Sequence, residues 1–277
     1  IEVMQPEIAT TLESVEVLIE AIRTLEPSAT KIENAQNAFA DTMLQWQRME
    51  VLQIGPWASS LTSNVGEDLR DEIYSWPLIN PCRIDQETAS QTYLQEEFLD
   101  TALVSVRGLD TIGYLLSAST ESTCPSQVPP ISDGSWQALG EDAIFQHRIE
   151  YALVLAEDVQ ARLLVAEEQW ADGFPHDLYT SQSAALNDVF NAMLYVEEMV
   201  KDRKLAHPMG LQECTTDCHL DVESGDSLTY LVANLESFEH LFTLGDETGG
   251  MIAVMEELGE QDIALSIASQ TRLSIET

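Results

Sequence analysis

Apolar side chains recur along this chain at helical spacing and almost nowhere in the alternation of a strand. From Pro6 to Leu25, Ile8, Leu12, Val15, Leu18, Ile19 and Ile22 fall on one stripe, which commits that face to a core. Pro27 and Ser28 then stop one helix and open the next. A second long pattern runs from Ala29 to about Leu61 and must break or kink at Gly55-Pro56, because proline removes a backbone donor and clashes with the preceding turn. Shorter helical pieces are predicted over 68–76, 86–94 and 96–117, and longer ones over 136–171, 184–205, 228–244 and from Gly250 to about Ile275. The class is therefore all-α.

Residues 118–134 carry Cys124-Pro125, Pro129-Pro130 and Asp133-Gly134, a density of turn formers that reads as a linker. It divides the chain into an N-terminal helical bundle over 1–125 and a C-terminal one over 126–277. Leu44-Gln45-Trp46 is echoed by Glu168-Gln169-Trp170, and Gly108-Leu109-Asp110-Thr111-Ile112 by Ser237-Phe238-Glu239-His240-Leu241. The separations are similar, which suggests two four-helix-like bundles related by internal duplication.

The chain holds 48 acidic and 12 basic residues, a net charge of −36. The acids are scattered and so belong on helix surfaces. Nucleic acid is excluded as a partner, because phosphate binding needs a basic face, and anionic membranes are disfavoured on the same ground. No segment reaches the roughly 18 apolar residues of a membrane span. The opening at Ile1 is read as that of a mature, trimmed chain. Most of the basic residues are Arg, which suits fixed pairing with carboxylates, and Arg70, Arg83 and Arg107 are the expected anchors. The even cysteine count points to an exported protein with disulfides. Cys82 and Cys124 flank one helical block and could staple it, while Cys214 and Cys218 could close a small ring. The alternative is a metal site from Cys214, Cys218 and His219.

Arg107-Gly108-Leu109-Asp110-Thr111-Ile112-Gly113-Tyr114 opens an apolar helix that carries a single carboxylate, Asp110. A charge on such a helix is costly to desolvate and is expected to be paired or functional. His147 and Glu150, and Glu236 and His240, stand at helical spacing, and both pairs read first as surface or interface pairs. Trp46, Trp57, Trp76, Trp136 and Trp170 read as packing. Zinc-protease, nucleophile-elbow and phosphate-loop signatures are missing from the sequence.

Three segments together resemble the imelysin family, the exported bacterial proteins also called insulin-cleaving membrane protease-like. They are Asp71-Glu72-Ile73-Tyr74-Ser75-Trp76-Pro77 running on to Asn80-Pro81-Cys82-Arg83-Ile84-Asp85-Gln86, then Arg107 to Leu116, then Pro208-Met209-Gly210 with Glu223-Ser224-Gly225-Asp226-Ser227-Leu228 and Asn234-Leu235-Glu236-Ser237-Phe238. The resemblance implies two helical bundles with a site where they meet, export to the periplasm or cell envelope (often as a lipoprotein), and a role in iron uptake or metal binding. The family mark is Gly-x-His-x-x-Glu, whose His and Glu share a helix face and offer one nitrogen and one oxygen to a cation. Here Gly108 matches, Asp110 stands in place of His, and Gly113 in place of Glu.

The implied function is thus recognition rather than hydrolysis. A ligand or partner would be held by Trp76, Arg83, Arg107, Gly108, Asp110, Gly113, Glu223, Ser224 and Ser227, with Arg83 or Arg107 neutralising Asp85 or Asp110. Asp110 is the candidate ligand for a cation such as iron, zinc or calcium. The implied partners are envelope proteins or an iron-containing ligand, with membrane attachment only through an N-terminal lipid. A metallopeptidase and a helical scaffold or adhesion module are the alternatives.

Overall fold

The structure, a computed structural model, describes residues 3–25, 29–117, 119–171, 178–213, 227–245 and 249–276. The regular structure among these residues is all helical, with no strand. The helices are α1 (Met4–Arg23), α2 (Ala29–Glu50), α3 (Leu69–Ile73), α4 (Pro81–Ser90), α5 (Phe98–Thr101), α6 (Gly108–Ser117), α7 (Ser135–Leu139), α8 (Glu141–Ala171), α9 (Gln182–Tyr195), α10 (Ser227–Thr243), α11 (Gly250–Glu257) and α12 (Gln261–Glu276). A π-helix, Val196–Ala206, continues α9 directly. Among the described residues, no helix is long and apolar enough to cross a membrane.

The stripe on α1 is buried in full: Ile8, Leu12, Val15, Leu18, Ile19 and Ile22. The long second pattern breaks where proline requires. α2 ends at Glu50, and Gly55–Trp57 forms a single 3-10 turn. The block expected as one helix from Trp136 is two, parted at Gly140, and the last block is parted at Gly259; both glycines have positive φ. α4 begins earlier than periodicity predicts. Pro81 occupies its first turn, and the Asn80 side chain accepts from the Arg83 N–H at 3.1 Å, a favoured helix start.

Contacts divide the chain into two compact units that interleave in sequence. The first takes Ile1–Thr11, Met43–Leu69 and Ala166–Thr277; the second takes Leu12–Thr42 and Arg70–Val165. The bounds fall inside α1, α2 and α8, so the spans 1–125 and 126–277 each contribute to both units. In the first unit, Phe238, Phe242, Met251, Ile252, Ala264 and Ala268 form a buried cluster, with Val189, Met193 and Val196 against it. Trp46 and Trp57 lie 5.9 Å apart in the same unit.

In the second unit Tyr151 stacks on Tyr93 at 4.7 Å, and Phe98 meets its edge at 5.7 Å. Beside this aromatic core lies Asp85, with no solvent exposure. It accepts from Tyr114 Oη at 2.9 Å, Arg148 Nη2 at 3.2 Å, Thr123 N–H at 2.7 Å and Thr123 Oγ1 at 3.1 Å. Arg148 sits near the rings of Tyr114 and Trp136, 5.5 Å from each, and also donates to the Ser119 carbonyl. The segment read as a linker is thus a strap on the second unit. A Cys82–Cys124 disulfide (Cα–Cα 4.4 Å) fastens it, and the Gln86 side chain donates to Pro129 O at 2.8 Å. Cys214 and Cys218 lie outside the described residues, as does His219.

The disulfide closes a separation of 42 residues, for which loop-closure entropy alone gives about 4 kcal/mol. Replacing Cys82→Ser and Cys124→Ser together should lower the unfolding free energy by about 2–4 kcal/mol in urea melts. Burial, opposed by the Thr123 hydrogen bond and reinforced by the Asp85 charge, pushes the Tyr114 hydroxyl up to about 12. The folded state therefore keeps a proton that the unfolded chain loses above its ordinary value of 10.0. Stability is fully present below pH 10 and falls as pH rises towards 12. Alkaline titration followed at the tyrosinate band should show this phenol ionising late; ionisation near pH 10 in the folded protein would refute the assignment.

Candidate functional site

The motif helix α6 starts where two backbones nearly touch. Gly108 has φ +77°, and a Cβ there would stand 2.4 Å from the Ile73 carbonyl oxygen. Both the left-handed backbone and the close approach demand glycine. Leu109, Thr111, Ile112, Tyr114, Leu115 and Leu116 are all buried along the helix, and Asp110 is half-buried. Asp110 accepts from Ser75 Oγ at 3.2 Å, which brings the Ser75-Trp76-Pro77 turn to the motif. Trp76 is buried, and its carbonyl accepts from Arg70 at 3.1 Å.

The charge pairing differs from the expectation. Arg107 pairs with Glu72 at 2.5 Å and donates to the Leu99 carbonyl at 2.6 Å, and it does not bond Asp110. Arg162 shares Glu72 at 3.2 Å and also holds Asp158 at 2.9 Å. Arg83 is half-exposed and pairs with Glu87 one turn on at 2.6 Å. Asp85 is neutralised by Arg148, which is 3% exposed. The physical reason is direction. Arg83 and Glu87 are successive-turn neighbours on α4, whereas Asp85 points to the side of α4 that faces α8.

Gly113 is the most informative position. A Cβ there would stand 2.7 Å from Cζ and 3.0 Å from Cε1 of Phe39. The space into which a glutamate would project is filled by an aromatic ring. The residues present therefore do not fit the His and Glu ligand pair of the motif: the oxygen ligand has neither a side chain nor room for one. Among the described residues, no group of three or more His, Cys, Asp and Glu converges on one point.

Ser227 opens α10 in the first unit, while Glu223 and Ser224 lie outside the described residues. His147 meets the Thr88 carbonyl at 3.1 Å, and Glu150 accepts from Tyr93 at 3.2 Å and from Gln146 at 3.0 Å. Glu236 pairs with Arg48 at 3.0 Å on the surface.

Two polar centres in the first unit escaped the sequence. One is Lys204, on the π-helix. With Glu50 it forms an ion pair in which neither side chain is exposed. Lys204 also donates to Gln47 at 2.5 Å and Asn234 at 3.1 Å, and Tyr195 donates to the other Glu50 oxygen at 2.6 Å. The wider i→i+5 turn shifts the helical register, so the 3.6-residue stripe does not reveal that Lys204 faces inward. The other is Asp188, buried on α9 and hydrogen-bonded by Tyr179 and Ser63. Lys204 stands in the charged run Lys201-Asp202-Arg203-Lys204, and Asp188 is the one charged residue of α9; neither carries a periodic signal.

Ala in place of Gly inside a helix ordinarily stabilises by about 1 kcal/mol. At Gly113 the Phe39 contact should reverse that sign: Gly113→Ala is expected to destabilise by about 1–3 kcal/mol through overpacking. The loss should shrink when Phe39→Leu is also present. A denaturant melt of the double-mutant cycle measures this, and a stabilised single variant would show that the ring is elsewhere.

The imelysin profile (peptidase M75) matches residues 4–276. An imelysin-like protein from Psychrobacter arcticum 273-4 has a similar structure, with a TM-score of 0.70 at 16% identity over 99% of this chain and 79% of that one. A protein from Parabacteroides distasonis ATCC 8503, described as an iron-regulated protein A precursor, gives a TM-score of 0.56 at 14% identity, over 92% of this chain and 76% of that one. At these identities the likeness is one of fold. No curated protein matches. With the family profile running from α1 to the end of α12, the chain belongs to the imelysin family.

Proposed function

We propose that this chain is a non-hydrolytic imelysin-family protein of the cell envelope that binds a ligand or partner in iron or metal acquisition. The observation that carries the reading is the Phe39 ring in the space of the motif's glutamate. A hydrolytic zinc centre needs about three protein ligands and a bound water, and this helix offers at most Asp110. Recognition needs only polar groups held in place. Asp110, half-buried and oriented by Ser75, supplies one on a helix whose start is fixed by Gly108 and whose approach is clamped by Arg107 and Glu72. Export is supported by the Cys82–Cys124 disulfide, since such bonds persist in oxidising compartments. The iron-related role is supported by the description of the Parabacteroides protein as iron-regulated.

Metal analysis of the purified chain, paired with a peptide-cleavage assay with and without chelator, tests the proposal. The expected result is no chelator-sensitive cleavage. A stoichiometric zinc ion together with cleavage that chelator abolishes and zinc restores would establish the metallopeptidase instead. Asp110→Ala should leave the thermal midpoint within a few degrees and weaken capture of the iron-bearing ligand. Unchanged capture would move the site off the motif helix.

A further inference from the structure

Four carboxylates are buried among the described residues: Glu50, Asp85, Glu87 and Asp188. Three have a cation, namely Lys204, Arg148 and Arg83 in that order. Asp188 is the exception. It is 5% exposed, and its donors are all neutral: Tyr179 Oη at 2.6 Å, Ser63 Oγ at 2.9 Å and the Gly55 N–H at 3.4 Å. All three reach the same oxygen, Oδ2. No described residue donates to Oδ1. Oδ1 is not one of the orphaned buried atoms among the described residues, so it is open to solvent, and any partner it takes comes from outside the protein.

Asp188 lines a cavity of about 500 Å³ in the first unit, bounded by residues 62–65 and by α9 with the residues leading into it. That volume suits a small molecule. Asn64, Thr180, Asn187 and Asn191 give the lining hydrogen-bonding groups, and Leu178 and Phe190 give it apolar surface. Among the described residues of this lining, Asp188 is the one carboxylate, and none is Lys, Arg or His. The Asn191 amide donates to the Thr62 carbonyl at 3.3 Å, which leaves its own carbonyl oxygen as a further acceptor.

This chemistry selects the ligand. An anion would meet an uncompensated carboxylate and be repelled. A bare calcium ion takes about 6–8 oxygens, several of them charged, and one carboxylate falls short of that. A primary ammonium group carries three donors and one positive charge. It answers the single unpaired oxygen, the missing counter-charge and the surrounding amide carbonyls together. We infer that this cavity binds a small primary ammonium compound without an acidic group, of the diamine or amino-alcohol class, whose ammonium donates to Asp188 Oδ1. Burial, and then the carboxylate itself, hold the Tyr179 hydroxyl above its ordinary range. It stays a donor at neutral pH and keeps Oδ2 occupied, so Oδ1 is the oxygen left for the ligand. The site is separate from the motif helix, and its test does not depend on the fate of the proposed metal-related role.

Calorimetric titration of the full chain with putrescine, in about 150 mM NaCl to screen the acidic surface, measures this binding. Glucose, acetate and calcium chloride are titrated in parallel. Putrescine should bind saturably at one site. Asp188→Asn should weaken it by roughly tenfold or more, because its amide oxygen can replace Oδ2 towards the three donors while its NH2 turns to the cavity. Asn187→Lys, at an exposed lining position, should abolish binding by presenting an internal ammonium to Oδ1. It decides the matter if Asp188→Asn does not fold. The inference is overturned if putrescine fails to bind at millimolar concentration. It is also overturned if putrescine binds the folded variants as tightly as the native chain, or if glucose or calcium outcompetes it at a site that Asn187→Lys removes.

Discussion

Asp85 has no route to water, and the second unit is organised around that fact. An ionised carboxylate in such a place persists only if every lone-pair direction is met by a donor. Here the donors come from three stretches of chain, Arg148 on α8, Tyr114 on α6, and both the backbone and hydroxyl of Thr123 on the strap, around an acceptor carried by a fourth, α4. Hydrophobic contact would let these elements slide over one another, because it is non-directional. The saturated carboxylate gives them one register, and the disulfide beside it holds the strap in place. The first unit uses the same device with the signs reversed. Lys204 is the buried centre, and Glu50, Gln47 and Asn234 are the acceptors around it.

The pattern of buried charge also explains how so acidic a chain keeps a core. Among the described residues four acids and four bases are buried, the bases being Arg70, Arg107, Arg148 and Lys204. The interior is balanced, so the excess of negative charge lies in water, where salt screens it. One third of the twelve basic side chains are committed to this internal role. The outer surface is therefore poorer in positive charge than composition alone suggests.

Features set by local chemistry were legible in the sequence. The α1 stripe, the break at Gly55-Pro56 and the burial of the five tryptophans follow from periodicity, proline geometry and residue size. What was not legible depends on direction in three dimensions. Arg83 and Arg148 look alike as isolated arginines, yet one lies along its own helix and the other enters the core. Lys204 is hidden by the π-helix, where the assumed period fails. Asp188 becomes notable only when its donors are seen to crowd one oxygen and leave the other facing a cavity. The Gly113–Phe39 contact joins residues distant in sequence, and neither carries a local mark of the other.

That contact decides what position 113 can carry. A glutamate can be added by one substitution only if its place is empty. Here the place is not empty, because Phe39 is buried on α2 and its ring lies against the α6 backbone. Packing of this density makes the two positions a unit: glutamate at 113 needs a smaller residue at 39, and a smaller residue at 39 without it leaves a cavity costing about 3–5 kcal/mol for full truncation. Each single change is unfavourable, so the residues at 113 and 39 are coupled. Gly108 is constrained independently, because the Ile73 carbonyl and the left-handed backbone require glycine whether or not a metal is bound. Glycine at 108 thus serves the fold, and the bare backbone at 113 serves the packing of α2 on α6.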